Sequence, residues 1–98
     1  MKTMKRLTDE TGEVLQSVLK KNLYCNGSVK AMNTTGNVDT LSTSYIKQEL
    51  IPFLRYGMAK LRDYKSFYIN DKIIFGVDDN GIMVVHTENC EDLLKEVC

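Results

Sequence analysis

The segment 66–87 constrains the fold more than any other part of the chain. It contains three short runs rich in isoleucine, valine, phenylalanine and tyrosine, at 66–69, 72–77 and 82–87. The sequences between the runs, Asn70-Asp71 and Asp78-Asp79-Asn80-Gly81, are typical of turns that join antiparallel strands. We therefore predict a three-stranded antiparallel meander. Strict alternation would place Ile73, Phe75 and Val77 on one face of its middle strand, and Lys72, Ile74 and Gly76 on the other.

Apolar residues at helical spacing predict three helices around this meander. The first spans about 9–24, has Thr8 or Thr11 as its cap, and ends at Asn26-Gly27. The second helix follows Ser42, Thr43 and Ser44 and carries apolar residues at 46, 50, 53, 54, 58 and 61. It should kink or break near Ile51, because Pro52 lacks a backbone N–H donor. The third spans about 89–97, with Cys90, Leu93, Leu94 and Val97 on its apolar face.

Residues 28–42 predict a short hairpin, since Val29 and Ala31 alternate with polar neighbours on one side of the turn sequence 33–37 and Val38 follows on the other. With this hairpin the elements run α-β-β-α-β-β-β-α. We expect an α+β fold, a single domain over residues 1–98, in which helices cover one face of a small antiparallel sheet made of the hairpin and the meander.

Charge is unevenly distributed along a chain whose net charge is zero. Residues 1–77 carry twelve basic and seven acidic residues, a balance of +5, whereas residues 78–98 carry one basic and six acidic residues, a balance of −5. Surface fields of this kind select partners and steer their approach, although they say nothing about the fold.

Two charged surfaces are therefore the candidate binding sites. The acidic one consists of Asp78, Asp79, Glu88, Glu91, Asp92 and Glu96. The basic one consists of Arg55, Lys60, Arg62 and Lys65. The acidic surface can dock on a basic groove of another protein, and the basic one can contact phosphates of a nucleic acid. The alternative for each surface is a solvated face that binds no partner.

The cysteines, Cys25, Cys90 and Cys98, favour reduced thiols in the cytoplasm, because their number is odd and no apolar stretch of a secretory signal follows the basic N-terminus. No metal or cofactor is expected, since the spacing of His86, Cys90 and Cys98 matches no zinc motif and the glycines form no phosphate loop. A nucleophilic pair of Cys90 and His86 is a remote alternative that would make the protein a cysteine-dependent enzyme. No run is long and apolar enough to predict a membrane span.

The opening Lys5-Arg6-Leu7-Thr8-Asp9-Glu10, with Gly12 soon after, resembles the start of many small accessory proteins of Gram-positive phages and prophages. The resemblance covers about eight residues and implies a protein that inhibits a host system by binding it. Compact size, the absence of a catalytic motif, the uneven charge and several short strands that offer an edge for pairing favour a non-enzymatic protein-binding module. With the resemblance, our leading hypothesis is a phage or mobile-element inhibitor of a host defence system, such as an anti-CRISPR, that binds and occludes its target. The alternative is a small nucleic-acid-binding regulator. A homodimer is a further expectation, because the meander leaves an edge strand unpaired.

Overall fold

A six-stranded antiparallel sheet with helices packed against one face makes up the described part of the chain. The computed structural model describes residues 4–6, 8–56, 64–77, 80 and 82–98, and for residues 4–6, 55 and 56 it describes the backbone. In chain order the elements are β1 (Met4–Arg6), α1 (Asp9–Tyr24), β2 (Val29–Asn33), β3 (Val38–Leu41), α2 (Thr43–Tyr45), a π-helical turn (Ile46–Leu50), α3 (Ile51–Tyr56), β4 (Tyr64–Ile69), β5 (Lys72–Val77), β6 (Met83–His86) and α4 (Thr87–Lys95). The strand order is β1-β6-β5-β4-β2-β3.

The predicted α+β fold and its order of elements are confirmed, with one short strand added at the N-terminus. That strand, β1, pairs with β6 and places Met4 opposite His86 and Arg6 opposite Val84. Three residues are too few to show a period in the sequence, so only the pairing with β6 reveals the strand. The bounds of α1 are as predicted, whereas α4 begins two residues earlier than expected and ends two residues earlier.

Both ends of α1 follow from local side-chain chemistry. At the start, the Thr8 hydroxyl accepts from the Thr11 backbone N–H and the Thr11 hydroxyl accepts from the Thr8 N–H, which satisfies two backbone donors. At the end, Asn26 adopts a left-handed conformation with φ of 57°. This lets the Gly27 N–H donate to the Asn22 carbonyl at 2.8 Å and closes the last turn.

Near Pro52, where we expected a kink or a break into two helices, the helical segment instead continues through a π-helical turn. The Ile51 N–H donates to the Ile46 carbonyl, five residues back, which makes residues 46–50 a π-helical turn that leads directly into α3. Proline has no N–H to continue the ordinary ladder and its ring crowds the preceding turn, so a widened turn just before it relieves both problems. The apolar positions Met58 and Leu61 that we assigned to this helix lie outside the described residues.

One row of buried side chains crosses four strands and forms the floor of the core. Ala31, Phe67, Phe75 and Val85 lie opposite one another in register and are fully buried. The rings of Phe67 and Phe75 stack with centroids 4.3 Å apart. The buried side chains that α1 and α4 contribute, Leu15, Val18, Leu19, Cys90 and Leu93, belong to the same cluster, so both helices cover this face.

The predicted alternation along β5 is wrong at Ile74. Phe67 pairs with Phe75 but its neighbour Tyr68 pairs with Ile73, so Ile74 is an extra residue in the ladder, a β-bulge. As a result Ile74 is buried in the core together with the adjacent Phe75. A bulge of this kind cannot be read from a sequence in which both candidate residues are apolar.

The hairpin predicted at 28–42 is confirmed as β2 and β3, and its turn is organised by one side chain. The Asn33 amide oxygen accepts from the Thr35 N–H at 3.0 Å, the Thr35 hydroxyl at 2.7 Å and the Asn37 N–H at 2.9 Å. Gly36 supplies the left-handed residue, with φ of 89°. No helix in the described part of the chain is both long and apolar enough to cross a lipid bilayer.

Candidate functional site: the joined ends of α1 and α4

The described members of the predicted acidic surface lie together. Glu88, Glu91 and Asp92 are exposed on α4, and Glu96 is exposed directly after its last residue. Glu88, Asp92 and Glu96 follow one another at four-residue spacing, so they form a row along the outer side of the helix. The remaining two members, Asp78 and Asp79, lie outside the described residues.

The predicted basic surface is only partly within the described residues. Arg55 belongs to α3, whereas Lys65 is exposed in β4 and therefore does not continue a helical stripe. Lys60 and Arg62 lie outside the described residues. A nucleic-acid-binding role for this surface stays a prediction.

A disulfide joins Cys25 and Cys98, so the expectation of three reduced thiols is wrong for this pair. Cys25 caps the C-terminus of α1, and its Cα lies 5.3 Å from that of Cys98, 73 residues away in sequence. Spacing gives no hint of this pairing, because it depends on how α4 returns to α1 over the sheet. The bridge fixes the end of the described chain to the end of α1.

Lys21 supports the same junction without a covalent bond. Its ammonium group donates to the backbone carbonyls of Leu93 and Glu96, the carbonyls at the end of α4. A cation in this position adds a charged donor to carbonyls at the helix end and offsets the negative end of the helix dipole. Glu96 also lies 3.9 Å from the Lys72 ammonium, but both groups are well exposed and the pair contributes little.

A cleft of about 210 Å³ opens beside this junction. It is lined by residues of both helices, the disulfide and the β4–β5 turn: Val18, Lys21, Asn22, Cys25, Gly27, Ile69, Asn70, Leu93, Glu96, Val97 and Cys98. Gly27 makes room for the Asn22 side chain, since a Cβ at that position would lie 2.1 Å from the Asn22 amide oxygen. The lining combines buried apolar side chains, among them Val18, Ile69 and Leu93, with the polar side chains of Lys21, Asn22 and Glu96.

The two most exposed large apolar side chains of the described residues flank the disulfide. Tyr24 is 84% exposed and directly precedes Cys25, and Val97 is 95% exposed and directly precedes Cys98. Because neighbouring Cα atoms are 3.8 Å apart, the Cα atoms of Tyr24 and Val97 lie within about 13 Å of each other. We use the term docking surface for Tyr24, Val97 and the cleft beside them.

Cys90, the candidate nucleophile, belongs to the core. Its side chain is fully buried, and its thiol donates to the Ile74 carbonyl at 3.7 Å. Burial, with a smaller contribution from the Glu91 carboxylate, raises the pKa of Cys90 from 9.0 to about 11. At neutral pH the group is therefore a thiol rather than a thiolate, which is the opposite of what nucleophilic catalysis requires.

No protein-family model matches this chain, no curated protein matches its sequence, and no solved structure matches its fold. Within the described ranges, His, Cys, Asp and Glu side chains form no group of three placed to hold a metal ion. Sequence reasoning missed Lys21, Tyr24 and Val97 as site residues, because each acquires its role from the contact between the ends of two helices that are distant in sequence.

Removal of the disulfide tests how much the junction contributes to stability. The double substitution Cys25→Ser, Cys98→Ser should lower the free energy of unfolding by about 2–4 kcal/mol, because the bridge restricts a long loop in the unfolded chain. Urea unfolding with and without a phosphine reductant measures the difference. The reductant should weaken the wild type and leave the double variant unchanged. A wild type insensitive to the reductant would contradict this assignment.

Substitution of Lys21 tests the noncovalent part of the junction. Lys21→Met keeps the aliphatic stem but removes the ammonium, so two carbonyls lose a charged donor and the free energy of unfolding should fall by about 1.5–3 kcal/mol. The neighbouring Lys20 is exposed on α1. Lys20→Met is the matched control and should change stability by less than about 0.5 kcal/mol. Equal effects of the two substitutions in urea unfolding would refute the role of Lys21.

The raised pKa of Cys90 predicts slow alkylation across a defined pH range. A thiol with a pKa near 9 is about half ionised at pH 9, whereas one near 11 is only about 1% ionised. Folded protein should therefore resist iodoacetamide up to about pH 10, and protein unfolded in urea without reductant should be alkylated at Cys90 readily. Mass spectrometry of the labelled peptide gives both rates. Labelling of the folded protein at pH 9 as fast as a free cysteine would show that the thiol is neither buried nor shifted.

Proposed function

We propose that the protein is a non-enzymatic protein-binding module whose partner contacts the docking surface. The observation that carries the proposal is the exposure of Tyr24 and Val97 on either side of the disulfide. Single exposed apolar residues are common. Here two of them flank one disulfide, and Val97 also lines the cleft, whereas Tyr24 does not. Exposed apolar surface next to a cleft is typical of protein interfaces. Tyrosine in particular is enriched at the centres of such interfaces.

The distribution of exposed apolar residues supports this location. The described residues with large exposed apolar side chains are Tyr24, Val38, Leu94 and Val97. Three of the four lie at the ends of α1 and α4, and Val38 lies on the edge strand β3. A solvated surface without a partner gives no reason for this concentration at one junction.

The size of the cleft favours a partner side chain over a small-molecule substrate. Pockets that enclose small molecules typically have volumes of roughly 300–1,000 Å³, and this cleft has about 210 Å³. Interfaces commonly place one apolar anchor in a pocket of this kind, surrounded by contacts that exclude water. The buried, protonated state of Cys90 gives no support to the alternative of a cysteine-dependent enzyme.

The finer predictions are extensions of this proposal. An inhibitor that occludes its target, such as an anti-CRISPR of a phage, would use the docking surface to cover a working surface of the target. The cytoplasmic location stays a prediction, and the disulfide argues against it, because such bridges persist mainly in oxidising compartments. The homodimer also stays a prediction, but the reason given for it is wrong, because β2 and β1 pair with the two outer strands of the meander. In the described residues the edge strands of the sheet are β1 and β3, and β3 is the candidate contact.

Selection from a library of short random-sequence peptides tests the proposal and requires no assumption about the identity of the partner. Wild-type protein with its disulfide intact serves as bait. Enriched peptides are synthesised and their affinities measured by biolayer interferometry. The double variant Tyr24→Ser, Val97→Ser should bind the enriched peptides about tenfold more weakly or worse, which corresponds to a loss of about 1.4 kcal/mol in binding free energy.

Val38→Ser is the matched control, because Val38 is also apolar and exposed but lies on the edge strand β3. It should leave the affinities of the enriched peptides unchanged. If no peptide is enriched, or if the Tyr24 and Val97 substitutions leave binding intact, the proposed docking surface is wrong.

A further inference from the structure

We infer that the docking surface takes a positively charged segment of a partner protein, one that presents a single apolar side chain flanked by lysine or arginine. This inference rests on the proposed function and adds the chemistry of the partner. The apolar side chain would enter the cleft, and the flanking cations would lie along the outer side of α4.

The first argument is the meeting of two helix C-termini at the docking surface. α1 ends at Tyr24 and α4 at Lys95, and the disulfide and the Lys21 contacts hold these ends together. The C-terminal end of each helix carries a partial negative charge of roughly half an elementary charge. A surface built from two such ends favours cations before any side chain is counted.

The second argument is the continuity of the acidic row with the cleft. Glu96 lines the cleft, and Asp92 and Glu88 follow it at one-turn intervals along α4. A helix of this pitch spreads these three positions over about 12 Å. Within α4 itself, the three carboxylates of Glu88, Glu91 and Asp92 outnumber the one cation, Lys95. Glu96, by contrast, already has Lys72 beside it.

The third argument concerns the two acids nearest the C-terminal end of α4, because Glu88 lies in the first turn, where a carboxylate suits the helix dipole. Asp92 falls in the last turn of α4 and Glu96 directly after it. A negative charge at a helix C-terminus is unfavourable by typically ~0.3–1 kcal/mol. The stability of α4 therefore does not account for these residues, whereas recognition of a cationic partner does.

The fourth argument is that this end of α4 already binds an ammonium group. Lys21 donates to the Leu93 and Glu96 carbonyls. Glu88, Glu91 and Asp92 take part in no ion pair with the described residues. They remain exposed for cations supplied from outside, and such charge complementarity raises the rate and the specificity of association.

The peptide selection also tests this inference through a separate readout. Enriched peptides that depend on Tyr24 and Val97 should carry an excess of lysine and arginine around one apolar residue. Their affinity should fall about tenfold in the variant Glu88→Gln, Asp92→Asn and should decrease as the salt concentration rises. The matched control Glu10→Gln, Glu13→Gln removes two exposed acids from the opposite end of α1 and should leave the affinity within about twofold of wild type.

The outcomes separate the inference from the proposed function. If the peptides whose binding requires Tyr24 and Val97 are neutral or acidic, the inference is overturned and the proposed function stands. The same holds if the two acid-to-amide variants change the affinity equally. Absence of any peptide that depends on Tyr24 and Val97 would overturn both. Sedimentation tests whether a second copy of the chain occupies the docking surface instead. If the wild-type protein self-associates and the Tyr24 and Val97 variant does not, the occupant is a second copy and the inference is overturned.

Discussion

The cross-strand row of Ala31, Phe67, Phe75 and Val85 is the constraint on which the rest of the structure depends. These four side chains meet in register across β2, β4, β5 and β6, and the stacked phenylalanines lie at the centre. Their apolar area can leave water only if helices cover this one face of the sheet. The positions of α1 and α4 over this face meet that requirement.

Packing on a common floor brings the C-terminal ends of α1 and α4 together, and this arrangement has an electrostatic cost. Two partial negative charges then lie close to one another. Lys21 offsets part of this cost by donating to the Leu93 and Glu96 carbonyls, and the Cys25–Cys98 disulfide holds the junction covalently. The docking surface therefore arises from the way the core closes, with Tyr24 and Val97 as the apolar residues left outside.

The sequence predicts those features of the fold that depend on local chemistry. The end of α1 at Asn26 depends on neighbours within one turn and was predictable. At Pro52 the sequence predicted a kink or a break near Ile51, but not the π-helical turn that precedes it. The bulge at Ile74 and the Cys25–Cys98 bridge depend on contacts between distant segments, and neither has a sequence signal. The same division applies to the site: the acids of α4 stood out as a charged run, whereas Lys21, Tyr24 and Val97 gained significance only through tertiary contact.

The opposed charges of the two parts of the chain take a definite spatial form in the described residues. Among the exposed side chains of the described residues, α4 and Glu96 carry four carboxylates and one lysine, Lys95, beside two helix C-termini. The exposed lysines of other elements are Lys20, Lys30, Lys47 and Lys65. A molecule with zero net charge but a fixed negative end experiences little overall attraction to a charged partner, yet it is turned by that partner's field as it approaches. Such orientation is useful only when one end must meet the partner, and the negative end is also the end that exposes Tyr24, Val97 and the cleft.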